Sequence, residues 1–168
     1  MHLRLSAAIC RKVLANRMSQ HEHFMRLAIE LAGHAPDHPF GALIADTKSD
    51  EIIARGWNRS AIDPTLHGEM DALHQLARAE TETTHRSLAL YTTAEPCPMC
   101  QSAILWTGIE TVVYGTSIPY LKALGWNQID IRAREVIRQT KFQDCELVGG
   151  ILEDECNSLF EQAVRRKA

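Results

Sequence analysis

Between residues 41 and 115 the chain carries four short apolar runs, and the way they are joined restricts the fold more than any other feature. GALIAD and EIIARGW are separated only by the polar tetrapeptide TKSD, so they can pair as an antiparallel hairpin. SLALYT and TVVYG are each preceded by a stretch of helical periodicity: Met70, Leu73, Leu76 and Ala77 share a face between Gly68 and Ala79, and PMCQSAILW forms a buried helix. Strands joined through helices can lie parallel. Ahead of the hairpin, HEHFMRLAIELAG (21–33) places Phe24, Leu27, Ala28 and Leu31 at helical spacing and stops at Gly33, a glycine end to a core-facing helix. Beyond TVVYG, IPYLKALG and IDIRAREVIRQ read as helices, a last strand falls near CELVG, and ILEDECNSLFEQAV closes the chain as a helix. Alternation of this kind predicts an α/β fold, a mostly parallel sheet layered between helices.

One domain accounts for the length: 168 residues, 45% of them hydrophobic, suit a single core. We place it at 21–168, behind a basic N-terminal extension, residues 1–20. No apolar run approaches the roughly 18 residues a membrane span needs, and the N-terminus lacks the apolar stretch of a secretory signal. No membrane partner and a cytoplasmic location are therefore expected. The five cysteines, Cys10, Cys97, Cys100, Cys145 and Cys156, are odd in number and unevenly spaced, which favours reduced thiols over a disulfide framework.

Charge is divided along the chain. Residues 1–20 hold Arg4, Arg11, Lys12 and Arg17 without an acid, and the chain ends in Arg165-Arg166-Lys167. Residues 21–164 carry all 21 acids against 11 Lys and Arg, a formal charge of −10. Such a body repels a phosphate backbone, so nucleic acid is a disfavoured partner.

The chemistry concentrates in two places. In EPCPMC (95–100), Pro98 suits the first turn of a helix, so Cys97 and Cys100 share that turn and can point at one spot. A helix N-terminus favours the thiolates a metal requires. C-x-x-C alone is a weak signal. Its partner is His67 in PTLHGEMDAL, followed by Gly68 and Glu69. Residues two apart on a helix point to nearly opposite sides, so His67 and Glu69 share a pocket only if His67 stands at or before the helix start. His74 lies about 10 Å further along the axis and is read as structural; Cys145 and Cys156 are read as core thiols. One histidine and two cysteines leave a tetrahedral zinc one open position, the mark of a catalytic site. Glu69 would sit beside it as the proton carrier.

With HGE and PCPMC in hand, the chain resembles the cytidine and deoxycytidylate deaminase superfamily, whose signature is H-x-E with P-C-x-x-C. PFGALI, ARGWNRS, DPTLHGEMDAL, LYTTAEPCPMC, AILWTGIETVVYG and GGILEDEC are similar to stretches of its nucleobase, nucleoside and tRNA-adenosine branch. That resemblance implies a three-layer α/β/α sandwich around a five-stranded mixed sheet, commonly a homodimer, with one zinc ion per subunit. It implies His67, Cys97 and Cys100 as zinc ligands and Glu69 as the catalytic proton shuttle. Asn58 falls where the family hydrogen-bonds the base, the backbone at Ala94 and Glu95 where it positions the amine, and Phe40 and Trp106 are candidate pocket walls.

The substrate implied is a small nucleobase or nucleoside, and the signals diverge within that class. AEPCPMC and AILWTG are most similar to guanine deaminases, TLHGE to fungal-type cytosine deaminases, and GWNR with GILEDEC to the tRNA enzymes. Guanine deaminases of this kind carry a second relay acid in a segment that here reads GTSIPYLKALGW, with no Asp or Glu. Asp130 could substitute only if the chain folds back over the pocket. A guanine-like purine is placed first, a cytosine-type pyrimidine behind it, and tRNA last.

Overall fold

The computed structural model describes residues 7–79 and 87–167. Helix α1 (Ala7–Ala32) leads into the hairpin β1 (Gly41–Asp46) and β2 (Glu51–Trp57). Then follow α2 (Gly68–Arg78), β3 (Leu88–Ala94), α3 (Pro98–Trp106) and β4 (Thr111–Thr116). Short helices α4 (Ile118–Ala123) and α5 (Ala133–Gln139), strand β5 (Glu146–Gly149) and α6 (Glu153–Lys167) complete the order.

The sheet runs β2-β1-β3-β4-β5. β1 is antiparallel to both neighbours, while β3 to β5 pair in parallel, so β1 alone runs against the other four. The expected mixed, mostly parallel sheet is therefore present. Both faces are covered. Leu73, Leu76, Ile104 and Ile109 pack with Ile44, Leu90 and Val112 on the α2 and α3 side. Phe24, Met25, Ala28 and Cys156 pack with Leu43, Tyr91 and Val113 on the α1 and α6 side. β1 and β3 are buried along their whole length, as strands covered on both faces must be.

Three boundaries differ from the periodicity reading. α1 begins at Ala7 rather than near residue 21, because 7–20 holds good helix formers and no Gly or Pro. Its early apolar residues Ile9, Val13, Leu14 and Met18 are exposed, so core-facing periodicity does not register them. α5 begins at Ala133 instead of 129, with Arg132 extended at the cap (φ −75°, ψ 150°). α6 starts at Glu153 because Gly150 and Leu152 both take positive φ, which no right-handed helix accommodates.

Tight helix-to-strand contacts aim α2 at the carboxyl end of the central strands. A Cβ on Gly56 would lie 2.3 Å from the Gly68 carbonyl oxygen, and one on Gly68 would lie 2.4 Å from that of Phe40. The glycine inside HGE is thus the contact that lets α2 approach. Open α/β sheets place their ligand crevices at this carboxyl end.

Candidate active site

His67 is the N-cap of α2 (φ −69°, ψ 165°) and Cys97 the N-cap of α3 (φ −64°, ψ 165°), with Pro98 at the first helical position. Both residues are extended, and neither side chain caps its own helix. The imidazole and the thiol are therefore turned toward a common point at two helix N-termini, where partial positive charge favours anionic sulfur. Cys100, one turn into α3, is fully buried and faces the same point.

His67 Nδ1 lies 3.7 Å from Cys97 Sγ and 3.6 Å from Cys100 Sγ, and the two sulfurs are 3.6 Å apart. A tetrahedral zinc with bonds of about 2.3 Å to sulfur and about 2.0 Å to nitrogen needs donors about 3.6–3.8 Å apart. The triangle fits that ion. Among the described residues these three form a group able to hold a metal, and no fourth His, Cys, Asp or Glu joins it.

The protons of the triangle are unevenly held. Hydrogen bonding with Cys100 and then with His67 lowers the Cys97 thiol to about 4, against the cost of burial. The same bond to Cys97, together with burial, pushes Cys100 up, and bonding to Cys97 raises His67. Glu69 reaches the Cys100 thiol from the first turn of α2. Burial first, and the nearby Cys97 second, raise its carboxyl to about 7. No Lys or Arg pairs with it among the described residues.

Above the triangle opens a cavity of about 560 Å³, whose floor includes His67, Glu69 and Cys97. Phe40 and Asn58 line one side; Leu124, Trp126, Asn127 and Gln128 line the other; His38 and Lys167 stand among the remaining lining residues. Asn58 Oδ1 accepts from the Ser60 N–H at 3.1 Å and from its hydroxyl at 2.8 Å. The Asn58 Nδ2 amine has no protein partner among the described residues, which leaves it as a donor.

Residues 18–116 match the family profile described as the cytidine and deoxycytidylate deaminase zinc-binding region. The chain belongs to the cytidine and deoxycytidylate deaminase family. A tRNA-specific adenosine deaminase of Haemophilus influenzae is 35% identical over 81% of this chain and 78% of its own length. A probable cytosine deaminase of Schizosaccharomyces pombe is 31% identical over 79% and 85%. A guanine deaminase of Bacillus subtilis is 37% identical over 56% and 63%. Among solved structures, NE0047 in complex with 2,6-diaminopurine superposes with a TM-score of 0.78 at 25% identity, covering 88% of this chain and 83% of that one.

In this deaminase the cavity gathers Glu69, His67, Cys97, Phe40, Asn58 and Glu95, with Cys100 behind them. Trp106 does not join them. It ends α3, 76% exposed and stacked on Phe142 at 4.5 Å, because eight residues of helix carry it about 12 Å from Pro98. Ala94 is buried under the pocket against Leu121 and Phe160 rather than on its surface. Asp130 is exposed and paired with Lys122 at 2.6 Å, so it supplies no second acid. His74 points to solvent. Cys156 is buried and Cys145 half-buried, with burial pushing their thiols up to about 12 and about 11.

Sequence reasoning missed His38, Ser60, Trp126, Asn127, Gln128, Val164 and Lys167. Only Gly125-Trp126, a turn glycine beside a large ring, carries a local signal. Among the described residues no helix is long and apolar enough to cross a membrane.

Proposed function

We propose that this deaminase hydrolyses the exocyclic amine of a free nucleobase or nucleoside, a guanine-like purine first, and releases ammonia. The observation that carries the reading is Glu69: a buried carboxyl without a cationic partner, beside a three-donor triangle, at the floor of a pocket large enough for a bicyclic ring.

His67, Cys97 and Cys100 would hold one zinc ion per subunit, which when bound supplies Lewis-acid activation of a water molecule. Glu69 carries the protons. So buried a carboxyl can hold a proton as well as release one. It accepts a proton from the attacking water, delivers it to the ring nitrogen, and passes a second to the departing amine, leaving a carbonyl and ammonia. The Asn58 amine donates to an acceptor on the base, and Phe40 offers its ring as an apolar wall. Asp130 stands outside the pocket and Glu95 is held by Arg132, so Glu69 works as the sole relay. The complex of NE0047 with 2,6-diaminopurine and the guanine deaminase relative support a purine. A cytosine-type pyrimidine is the alternative within the same class.

One observation favours a second reading. Lys167 lines the cavity, where a cation could meet a phosphate of tRNA. Yet Arg165 and Arg166 are engaged by Glu161 and Asp37, which leaves little basic surface for RNA. Homodimer assembly also belongs to the proposal; the exposed Trp106–Phe142 stack supplies an apolar patch for it.

Ammonia release should be assayed over purine, pyrimidine and triazine bases, their nucleosides and an anticodon stem-loop. Turnover of a purine base above the others is expected. Turnover confined to the stem-loop, weakening steeply with salt, would transfer the assignment to tRNA, and none at all with zinc bound would end it.

A further inference from the structure

We infer that Arg132, gripped by Glu95, is the positioning residue that fixes the substrate-selecting wall of the pocket, Leu124–Gln128, relative to the metal-site helix. The selection arm of this inference rests on the deaminase reading; the positioning arm does not.

The Glu95 side chain is completely buried and takes up four N–H groups. Its Oε2 accepts from the backbone of Ile118 at 3.0 Å and its Oε1 from that of Ala133 at 3.0 Å. Arg132 Nε donates to both oxygens, at 2.8 and 2.7 Å. A second arm of the same guanidinium reaches the Tyr114 hydroxyl at 3.3 Å. One carboxylate therefore ties the first residue of α4 to the first residue of α5.

Everything between those two ties is the wall. α4 has 6 residues and α5 has 7, too few to hold a helix on their own. The chain turns at Gly125 with φ 88°, and Leu124, Gly125, Trp126, Asn127 and Gln128 then face the cavity. Trp126 meets Phe40 and Phe160 edge-on at 5.6 and 5.7 Å, so the wall leans on the opposite side of the pocket as well as on its base.

Position along the chain gives the clamp its consequence. Glu95 stands two residues before Cys97, so the carboxylate holding the wall is covalently registered to the triangle where the chemistry occurs. A shift at the clamp displaces the wall relative to the reacting atoms, and misplacement of about 1 Å costs about a hundredfold in rate. Lysine could not replace the grip, because a single ammonium cannot bridge both oxygens and also reach the tyrosine in a planar fork.

Arg132→Met and Arg132→Lys test this in the full chain. In Arg132→Met, zinc content should stay at the parent's level and amide exchange should rise in peptides spanning 118–133, with β1 unchanged. On the best substrate KM should rise about tenfold or more while kcat changes by less than about threefold, and the preference among bases should narrow. Arg132→Lys should fall between the parent and Arg132→Met on each measure, and it decides the matter if the Met variant does not fold. Unchanged exchange in 118–133 would overturn the positioning role. A fall in kcat with KM and base preference unmoved would overturn the selection role. If the parent deaminates nothing in the panel, the deaminase reading fails, and with it the selection arm, while the exchange arm still decides the clamp.

Discussion

Two buried carboxylates flank the pocket, and they are handled in opposite ways. Glu95 on the α5 side is closed off by Arg132 and two backbone N–H groups. Glu69 on the α2 side has neither a Lys nor an Arg partner among the described residues, and burial raises its carboxyl to about 7. Equal burial thus yields a fixed charge in one place and a mobile proton in the other. Partners, rather than depth, decide which role a buried acid takes.

The largest effect separates the two roles. Glu69→Gln should keep zinc bound and lower ammonia release by about 10²–10⁴-fold; metal analysis beside turnover checks it, and full activity in that variant would erase the contrast. Close behind, Cys100→Ser should deplete the metal, with zinc content and turnover falling together and partial recovery under excess zinc. Retained stoichiometric zinc there would show that the triangle is not the metal's seat.

The opposite acid should behave as scaffold. Glu95→Gln removes the charge that Arg132 grips, and loss of one partner of a buried pair costs about 3 kcal/mol. Urea unfolding should show that loss with zinc still bound, and a loss below about 1 kcal/mol would make Glu95 no more than a surface contact.

The smallest effect lies across the sheet, at a buried polar group remote from the triangle. His21 bonds the Tyr91 hydroxyl at 3.0 Å, and burial, then Arg17, lower its pKa below 6.5 against a raising influence from Glu146. The unfolded chain then binds this proton more readily than the folded one, so stability is fully present above about pH 6.5 and declines as pH falls through the folded value. His21→Gln should flatten that decline in thermal unfolding between pH 7 and pH 5; an unaltered slope would assign the acid sensitivity to other groups.

Legibility followed how local each determinant is. HGE and PCPMC could be read because a helix start is specified within a few residues: Pro98 sets one first turn, and the requirement that His67 and Glu69 share a pocket sets the other. The strands followed from apolar runs and the short TKSD turn. Trp106 was misjudged because an aromatic ending an apolar helix reads the same whether it faces a pocket or solvent. α5 was extended too far because the periodicity of 129–139 carries no trace of the distant carboxylate that fixes where the helix begins.

By itself the sequence determined the layered α/β fold, the family, and the three donors with their proton carrier, since each depends on spacing and on conformational rules acting within one turn of helix. Tertiary structure alone decided which side chains enclose the pocket. Trp126, Val164, Lys167 and His38 come from four separate stretches of chain, and only the packing of α6 and the Glu95 clamp bring them to one cavity. Contacts between residues so far apart are set by the fit of whole elements, and that fit leaves no periodic signature in the chain.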